Sequence, residues 1–329
     1  MEIPVVFLSR PGSKEGLIRI KALNNEKVTV LQVYSSSNHQ VYALKLFPRN
    51  FYGITHYKRE KILFKLNHPN IIKCTPLICC DEEYFAIATE FAKHGDFFDI
   101  VTKGYLNSDL LIRTYFHQLI AGLEYIHSKG VAHLDLKLEN IMLGADYQLK
   151  IIDFDQSQVL TDKIVQSGGT VSYRSPEILK GKCTHFTAAD VFSAGVVLFA
   201  FKAKEFPFVE KIIDPECQDH RSYLTFMKNN KHFWKMKALG KKNNSFFSEE
   251  FIHLLNGMMH ENPLKRLTIK EIKESKWYKG PVLDKLGMIF EMKYKCEINT
   301  IKKRPVFKKL QIDTKLPLIY DPGRRIDTC

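Results

Sequence analysis

The sequence has no apolar run long enough to cross a bilayer as a helix. Its longest, Ala194–Phe201, falls far short of the roughly 20 residues that such a span requires. The apolar stretch Ile3–Leu8 is preceded by Glu2 rather than a basic segment and is too short for a secretory core. Cysteine is sparse: the seven are odd in number, scattered, and include no C-x-x-C pair. That pattern argues against both a disulfide framework and a zinc site. Cys329 is the last residue and does not open a prenylation box. Internal repeats and low-complexity blocks are missing as well. These absences make a soluble, intracellular, cytoplasmic protein the expectation, with Lys302-Lys303-Arg304 as a nuclear-targeting alternative.

What is present is ordinary except for charge. A chain of 329 residues that is 45% hydrophobic and 26% charged is not wholly disordered, collagen-like or a coiled coil. It is too long for one small core, so two lobes or domains plus extensions are expected. Lys and Arg outnumber Asp and Glu by 49 to 36, for a net charge of +13. Such an excess favours nucleic acid, anionic membrane or phosphate-bearing ligands without choosing among them, and no nucleic-acid motif accompanies it.

The first third reads as strands. Leu17–Leu23, Val28–Tyr34 and Val41–Phe47 are rich in Val, Ile, Leu and Tyr, with the turn cluster Ser35–Asn38 between the last two. A helix is expected over Thr55–Leu66, stopping before Pro69, and strands over Ile71–Leu77 and Tyr84–Phe91. After Gly95, Leu110 is followed by Tyr115, Phe116, Leu119, Leu123, Ile126 and His127, which recur at three- and four-residue steps, the mark of a buried helix face. Short strands at Ile141–Leu143 and Leu149–Ile152 follow, and helices dominate from Ala188 to about Tyr278. The remainder is basic and broken by proline.

Three strings carry chemistry: Ala43-Leu44-Lys45 at a strand end, His133 to Asn140 after the long helix, and Asp153-Phe154-Asp155 after the short strands. Phosphoryl transfer from ATP needs a cation on the triphosphate, which Lys45 supplies. It needs hard oxygen ligands for Mg²⁺, which Asp153 and Asn140 supply. It needs a carboxylate to orient a hydroxyl acceptor and take its proton, which fits Asp135. Lys137 can neutralise charge on the transferred group.

In this order the strings resemble the eukaryotic protein kinases, specifically the serine/threonine group, with the calcium/calmodulin-dependent and AMP-activated-like branch most similar. The resemblance runs from about Ala22 to Tyr278. It implies an α+β, bilobal fold: an antiparallel sheet plus one helix over about 17–89, a hinge over 90–95 and a mainly helical lobe over 96–279, with 280–329 as a basic extension. It implies catalytic roles for Asp135, Lys137, Asn140 and Asp153, metal ligation by Asn140 and Asp153, and cofactors ATP and Mg²⁺. Lys45 would anchor phosphates with Glu60 as its partner. Glu90 and Ala92 would form the adenine-binding hinge after the gatekeeper Thr89, with Asp96 near the ribose. Ala43 and Met142 would sandwich the adenine, and Leu23 and Leu31 would flank it. Ser175-Pro176-Glu177 matches the segment closing the activation loop, with Arg266 placed to pair with Glu177. Asp190 opens the following buried helix, and Lys137 with Gly169-Thr170 is the serine/threonine pattern.

The departures bear on activity. The family's three loop glycines fall on Asn24, Glu26 and Thr29, so the close backbone approach that glycine permits is lost. Glu60 lies one residue closer to His68 than the family pattern, and a gapless alignment offers Arg59 instead; a lysine needs a carboxylate, which selects Glu60. Phe64, one turn on, is expected to face the same core as Phe154 and His133. Leu134 stands where many relatives carry the arginine that grips a loop phosphate, which implies activity independent of activation-loop phosphorylation. Thr161 and Ser167 read as solvated loop residues. Asp155 replaces a glycine and reads as a polar loop residue that stiffens the metal motif. Glu139 and Asp96 fit an arginine-containing protein substrate with a Ser or Thr acceptor. Leu283, Leu286 and Phe290 at near-helical spacing, followed by a basic run, make calmodulin or another acidic partner a candidate for the tail. A pseudokinase, keeping the fold as a regulatory binding module, is the alternative.

Overall fold

The computed structural model describes residues 17–24, 29–36, 38–80, 83–160, 170–181, 183–208, 221–241 and 245–302. Glu26, Thr161, Ser167, Gly169 and the basic run after Lys302 lie outside them. The aliphatic runs at the start form strands β1 (Leu17–Asn24), β2 (Thr29–Ser35) and β3 (Val41–Pro48). Helix α1 (Phe51–Glu60) follows, then β4 (Cys74–Cys80) and β5 (Tyr84–Glu90). The five strands make one antiparallel sheet in the order β1-β2-β3-β5-β4. Leu31, Val33, Leu44, Leu46, Ala86 and Ala88 pack on one of its faces. Lys45 and its cross-strand partners Val30 and Ile87 belong to the other.

Helix α1 begins four residues before its expected start because Asn50 caps it, accepting from Gly53 N–H at 2.8 Å. Gly53 is required there: a Cβ would meet the Pro48 carbonyl oxygen at 2.0 Å. After Glu60 the chain tightens into a 3-10 turn, Lys61–Lys65. That change of period turns Leu63 inward, 1% exposed, and leaves Phe64 39% exposed, so Phe64 does not join Phe154 and His133. Those two rings pack edge to face at 4.9 Å without it.

The second lobe is helical: α2 (Phe97–Thr102), α3 (Asp109–Ser128), then small strands β6 (Val131–Ala132), β7 (Ile141–Leu143), β8 (Leu149–Ile151) and β9 (Gln158–Val159). β6 pairs with β9 and β7 with β8. Helices α4 (Pro176–Leu179), α5 (Phe186–Ala203), α6 (Arg221–Lys228), α7 (Asn230–Ala238), α8 (Glu249–Met258), α9 (Ile269–Glu274) and α10 (Lys285–Lys302) complete it. Helix α5 is long and apolar enough to cross a membrane by composition, yet 83% of it is buried inside this lobe, where it packs against α3 as the core.

Helix α10 forms where Leu283, Leu286 and Phe290 marked helical spacing, but with another face inward. Met288 and Met292 enter the core, while Leu286, Phe290 and Tyr294 are 77%, 72% and 61% exposed. Its approach is fixed by Arg113, which donates to the carbonyls of Trp277 and Pro281, and by Leu283 N–H, which donates to Thr114 Oγ1.

Candidate active site

The cleft floor is the loop between β6 and β7. Asp190, fully buried in α5, accepts from the backbone N–H of His133 and of Leu134, each at 2.8 Å, and contacts His127 Nε2 at 2.8 Å. Burial alone would raise the Asp190 carboxyl, but the His127 contact and the backbone donors hold it below the ordinary carboxylate value. Those two hydrogen bonds support Leu134 in a left-handed conformation, φ +62°, that a branched side chain adopts at a cost.

The turn so formed presents Asp135. Its Oδ2 accepts from Asn140 Nδ2 at 2.9 Å and lies 3.0 Å from Lys137 Nζ; its Oδ1 accepts from Thr170 N–H at 3.1 Å. Asn140 Nδ2 also donates to the Asp135 carbonyl at 2.9 Å, which turns Oδ1 of the amide away from Asp135. Lys137 Nζ donates to Thr170 Oγ1 at 3.2 Å. Burial opposes the charge on Lys137, but the adjacent Asp135 outweighs it and holds the ammonium above the usual lysine value.

The roof is built on Lys45. Its Nζ donates to Asp153 Oδ1, and lies 3.3 Å from Glu60 Oε2 and 3.5 Å from Asp155 Oδ2. Burial works against the Lys45 charge, but Asp153, Glu60 and Asp155 together raise its pKa well above the ordinary value. Glu60, 3% exposed, is pushed up to about 8 by burial, against the pull of Lys45. Asp153 itself sits at φ +65°. Asp155 is the polar loop residue expected of it, but a buried one: it is 9% exposed, and its carboxylate lies 3.2 Å from His56 Nδ1. Burial would raise it, but Lys45 and His56 draw it below the carboxylate range.

Between floor and roof lies a cleft of about 1000 Å³. Lys45, Glu60, Lys137, Asn140 and Asp153 line it, with Leu23, Ala43, Glu90, Ala92, Asp96 and Met142. Asp135 stands at its edge through Lys137, Asn140 and Thr170. Leu31 does not line it. It pairs with Leu44 across the strands and is 3% exposed in the sheet core, while Val30, the partner of Lys45, takes the cleft position. Glu90 Oε1 accepts from Lys73 N–H at 2.9 Å and pairs with Lys150 at 3.0 Å, so its carboxylate pins the hinge. Asp96 caps α2 by accepting from Asp99 N–H at 2.8 Å. Behind the floor, Arg266 makes a two-pronged pair with Glu177 at 2.6 and 3.0 Å. Sequence reasoning passed over Val30, His56 and Tyr52; strand parity with Lys45 pointed to the first, and no signal to the others.

A bilobal fold with this cleft defines a phosphotransferase-like scaffold. The chain belongs to the protein kinase family: the family model described as "Protein kinase domain" matches residues 26–278. It is similar to CBL-interacting serine/threonine-protein kinase 12 of Arabidopsis thaliana, 33% identical over 233 residues, covering 69% of this chain and 44% of that protein. CBL-interacting protein kinase 28 of Oryza sativa subsp. japonica is 34% identical over 233 residues, covering 68% and 49%. CBL-interacting protein kinase 26 of the same species is 30% identical over 280 residues, covering 83% and 49%. The chain thus spans about half the length of the curated relatives it matches.

The family uses ATP and a divalent cation. The residues present fit both: Ala43 and Met142 offer apolar surface for a flat ring, Lys45 offers an ammonium, and Asp153 with Asn140 offers oxygen donors at the cleft.

Proposed function

We propose that the chain transfers the γ-phosphate of Mg-ATP to Ser or Thr hydroxyls of proteins. The observation that carries this reading is Asp135: its carboxylate is held by Asn140, Lys137 and Thr170 N–H beside the cleft that Asp153 and Lys45 line. Asp135 orients the acceptor hydroxyl and takes its proton. Lys137 offsets charge on the transferred group, and Lys45 holds phosphate oxygens. A Mg²⁺ ion held by Asp153 and Asn140 would supply neutralisation of the polyphosphate; an all-oxygen donor set is the kind this hard cation prefers.

The substrate is proposed to carry arginine near the acceptor. Glu139 supports this as an exposed carboxylate beside the floor, with Tyr173 hydroxyl donating to it at 3.3 Å. Convergence of Asp135, Lys137, Asn140 and Asp153 speaks against a binding-only module despite the missing loop glycines. Transfer of labelled phosphate from ATP to a generic basic protein tests the reading. Wild type is expected to label it, and Asp135→Ala to fall by about a thousandfold. Equal incorporation by the two proteins would reject it.

A further inference from the structure

We propose that Asp155 is a positioning residue that clasps helix α1 to the Asp153 loop and so holds the Lys45–Glu60 pair in place. The inference rests on the kinase reading for its consequence but on geometry for its content.

Asp155 touches the helix at two levels. Its Oδ2 lies 3.2 Å from His56 Nδ1, and its backbone carbonyl accepts from Arg59 Nη1 at 3.5 Å. His56 and Glu60 are four residues apart and share a helix face, so a tie at His56 fixes the rotation that aims Glu60 at Lys45. The same Oδ2 lies 3.5 Å from Lys45 Nζ, and Oδ1 accepts from Gln156 Nε2 at 3.0 Å. Gln156 Nε2 also approaches His56 Nδ1 at 3.4 Å, and Tyr52 packs on the His56 ring at 4.0 Å between centroids. Lys45, His56 and Asp155 are all largely buried, which makes such contacts stronger than exposed pairs.

Two other roles fit less well. Asp155 also borders the cleft, but both its carboxylate oxygens are engaged by Lys45, His56 and Gln156, which favours a positioning role over metal ligation. Its burial excludes a merely solvated loop position. Leu134, 7% exposed and apolar, offers no charged grip beside the catalytic carboxylate. A built-in clasp on α1 therefore lets the roof assemble without a modified activation loop.

The test uses the full chain, phosphatase-treated, as wild type, Asp155→Gly, Asp155→Asn, His56→Phe and the Asp155→Gly/His56→Phe double variant. Amide hydrogen exchange of residues 51–60 without nucleotide is the first readout. Asp155→Gly should speed exchange there about tenfold or more, while α3 and α5 keep their protection. Asp155→Asn, which still accepts from His56, should recover part of it. The double variant should be no worse than Asp155→Gly, because the two side chains act as a unit. In activity, Asp155→Gly should lower kcat by at least about tenfold with a smaller change in the KM for ATP. Unchanged α1 exchange in Asp155→Gly would overturn the proposal. So would a rise in the Mg²⁺ concentration needed for half-maximal rate as large as that of Asp153→Asn, which would make Asp155 a metal residue. An inactive wild type would fail the kinase reading, and the exchange readout would still judge the clasp.

Discussion

The two walls of the cleft are held in shape by different forces. The floor is set by one buried side chain reaching backbone: Asp190 fixes the turn at His133 and Leu134, and the turn fixes Asp135. The roof is set by charge balance among side chains from three elements, with Asp153, Glu60 and Asp155 around the single ammonium of Lys45. A hydrogen bond to backbone has one geometry and cannot be redistributed. A cluster of three acids around Lys45, with His56 against one of them, can be, by moving a proton or a rotamer. The floor should therefore fail as a unit, whereas the roof should degrade by steps.

Removing the floor's anchor should give the largest effect. Asp190→Ala strands two buried backbone donors and withdraws support from Leu134, at an expected cost of about 3–5 kcal/mol. Urea denaturation measures this, and phosphate transfer should disappear with it. A loss below about 1 kcal/mol would mean that the floor is as adjustable as the roof. The second effect tests how far the floor's rigidity extends. Arg266 is fully buried and binds Glu177, the Ala188 carbonyl and the His260 carbonyl. Arg266→Lys keeps the charge but loses the planar fork, so about 2 kcal/mol of stability should go by the same measurement. If the lysine variant were as stable as wild type, charge alone would suffice there and the contrast would weaken.

The same contrast decides what was legible in the sequence. The floor is local: Asp135, Lys137 and Asn140 stand in one string, and their contacts with one another follow from it. The roof joins Lys45 and Glu60 to Asp153 and Asp155, which lie about a hundred positions further on, and there only chemical need could guide the reading. Glu60 was found because a lysine needs a carboxylate. Asp155 reads as a polar loop residue and is one, but its burial against Lys45 and His56 is not legible because they lie on distant elements. Leu31 was misplaced because strand parity depends on register, and Val30 is the residue opposite Lys45. Phe64 was misplaced because a 3-10 turn replaces the last turn of the helix. In α10 two apolar stripes share one helix, and spacing alone does not say whether Leu286 and Phe290 or Met288 and Met292 meet the domain.

The smallest effect probes the roof's freedom to move a proton. Glu60 is the most buried of its three carboxylates, so the remaining imbalance of charge falls on it, and its pKa is pushed up to about 8. In the unfolded chain the same group titrates near 4.5. The folded state thus binds this proton more tightly, and the associated stability is fully present below about pH 4.5 and is lost as pH rises through 8. Glu60→Gln cannot ionise and does not suffer that loss. The variant should gain stability relative to wild type as pH rises from about 5 to 8.5, with most of the change complete by the upper end. Thermal unfolding of both proteins at matched ionic strength measures the difference. Near neutral pH the substitution should cost no more than about tenfold in kcat/KM, far less than Asp135→Ala, because glutamine keeps a side-chain oxygen to face Lys45 Nζ. A stability difference independent of pH would mean that Glu60 stays ionised beside Lys45, and that the proton rests on another member of the cluster.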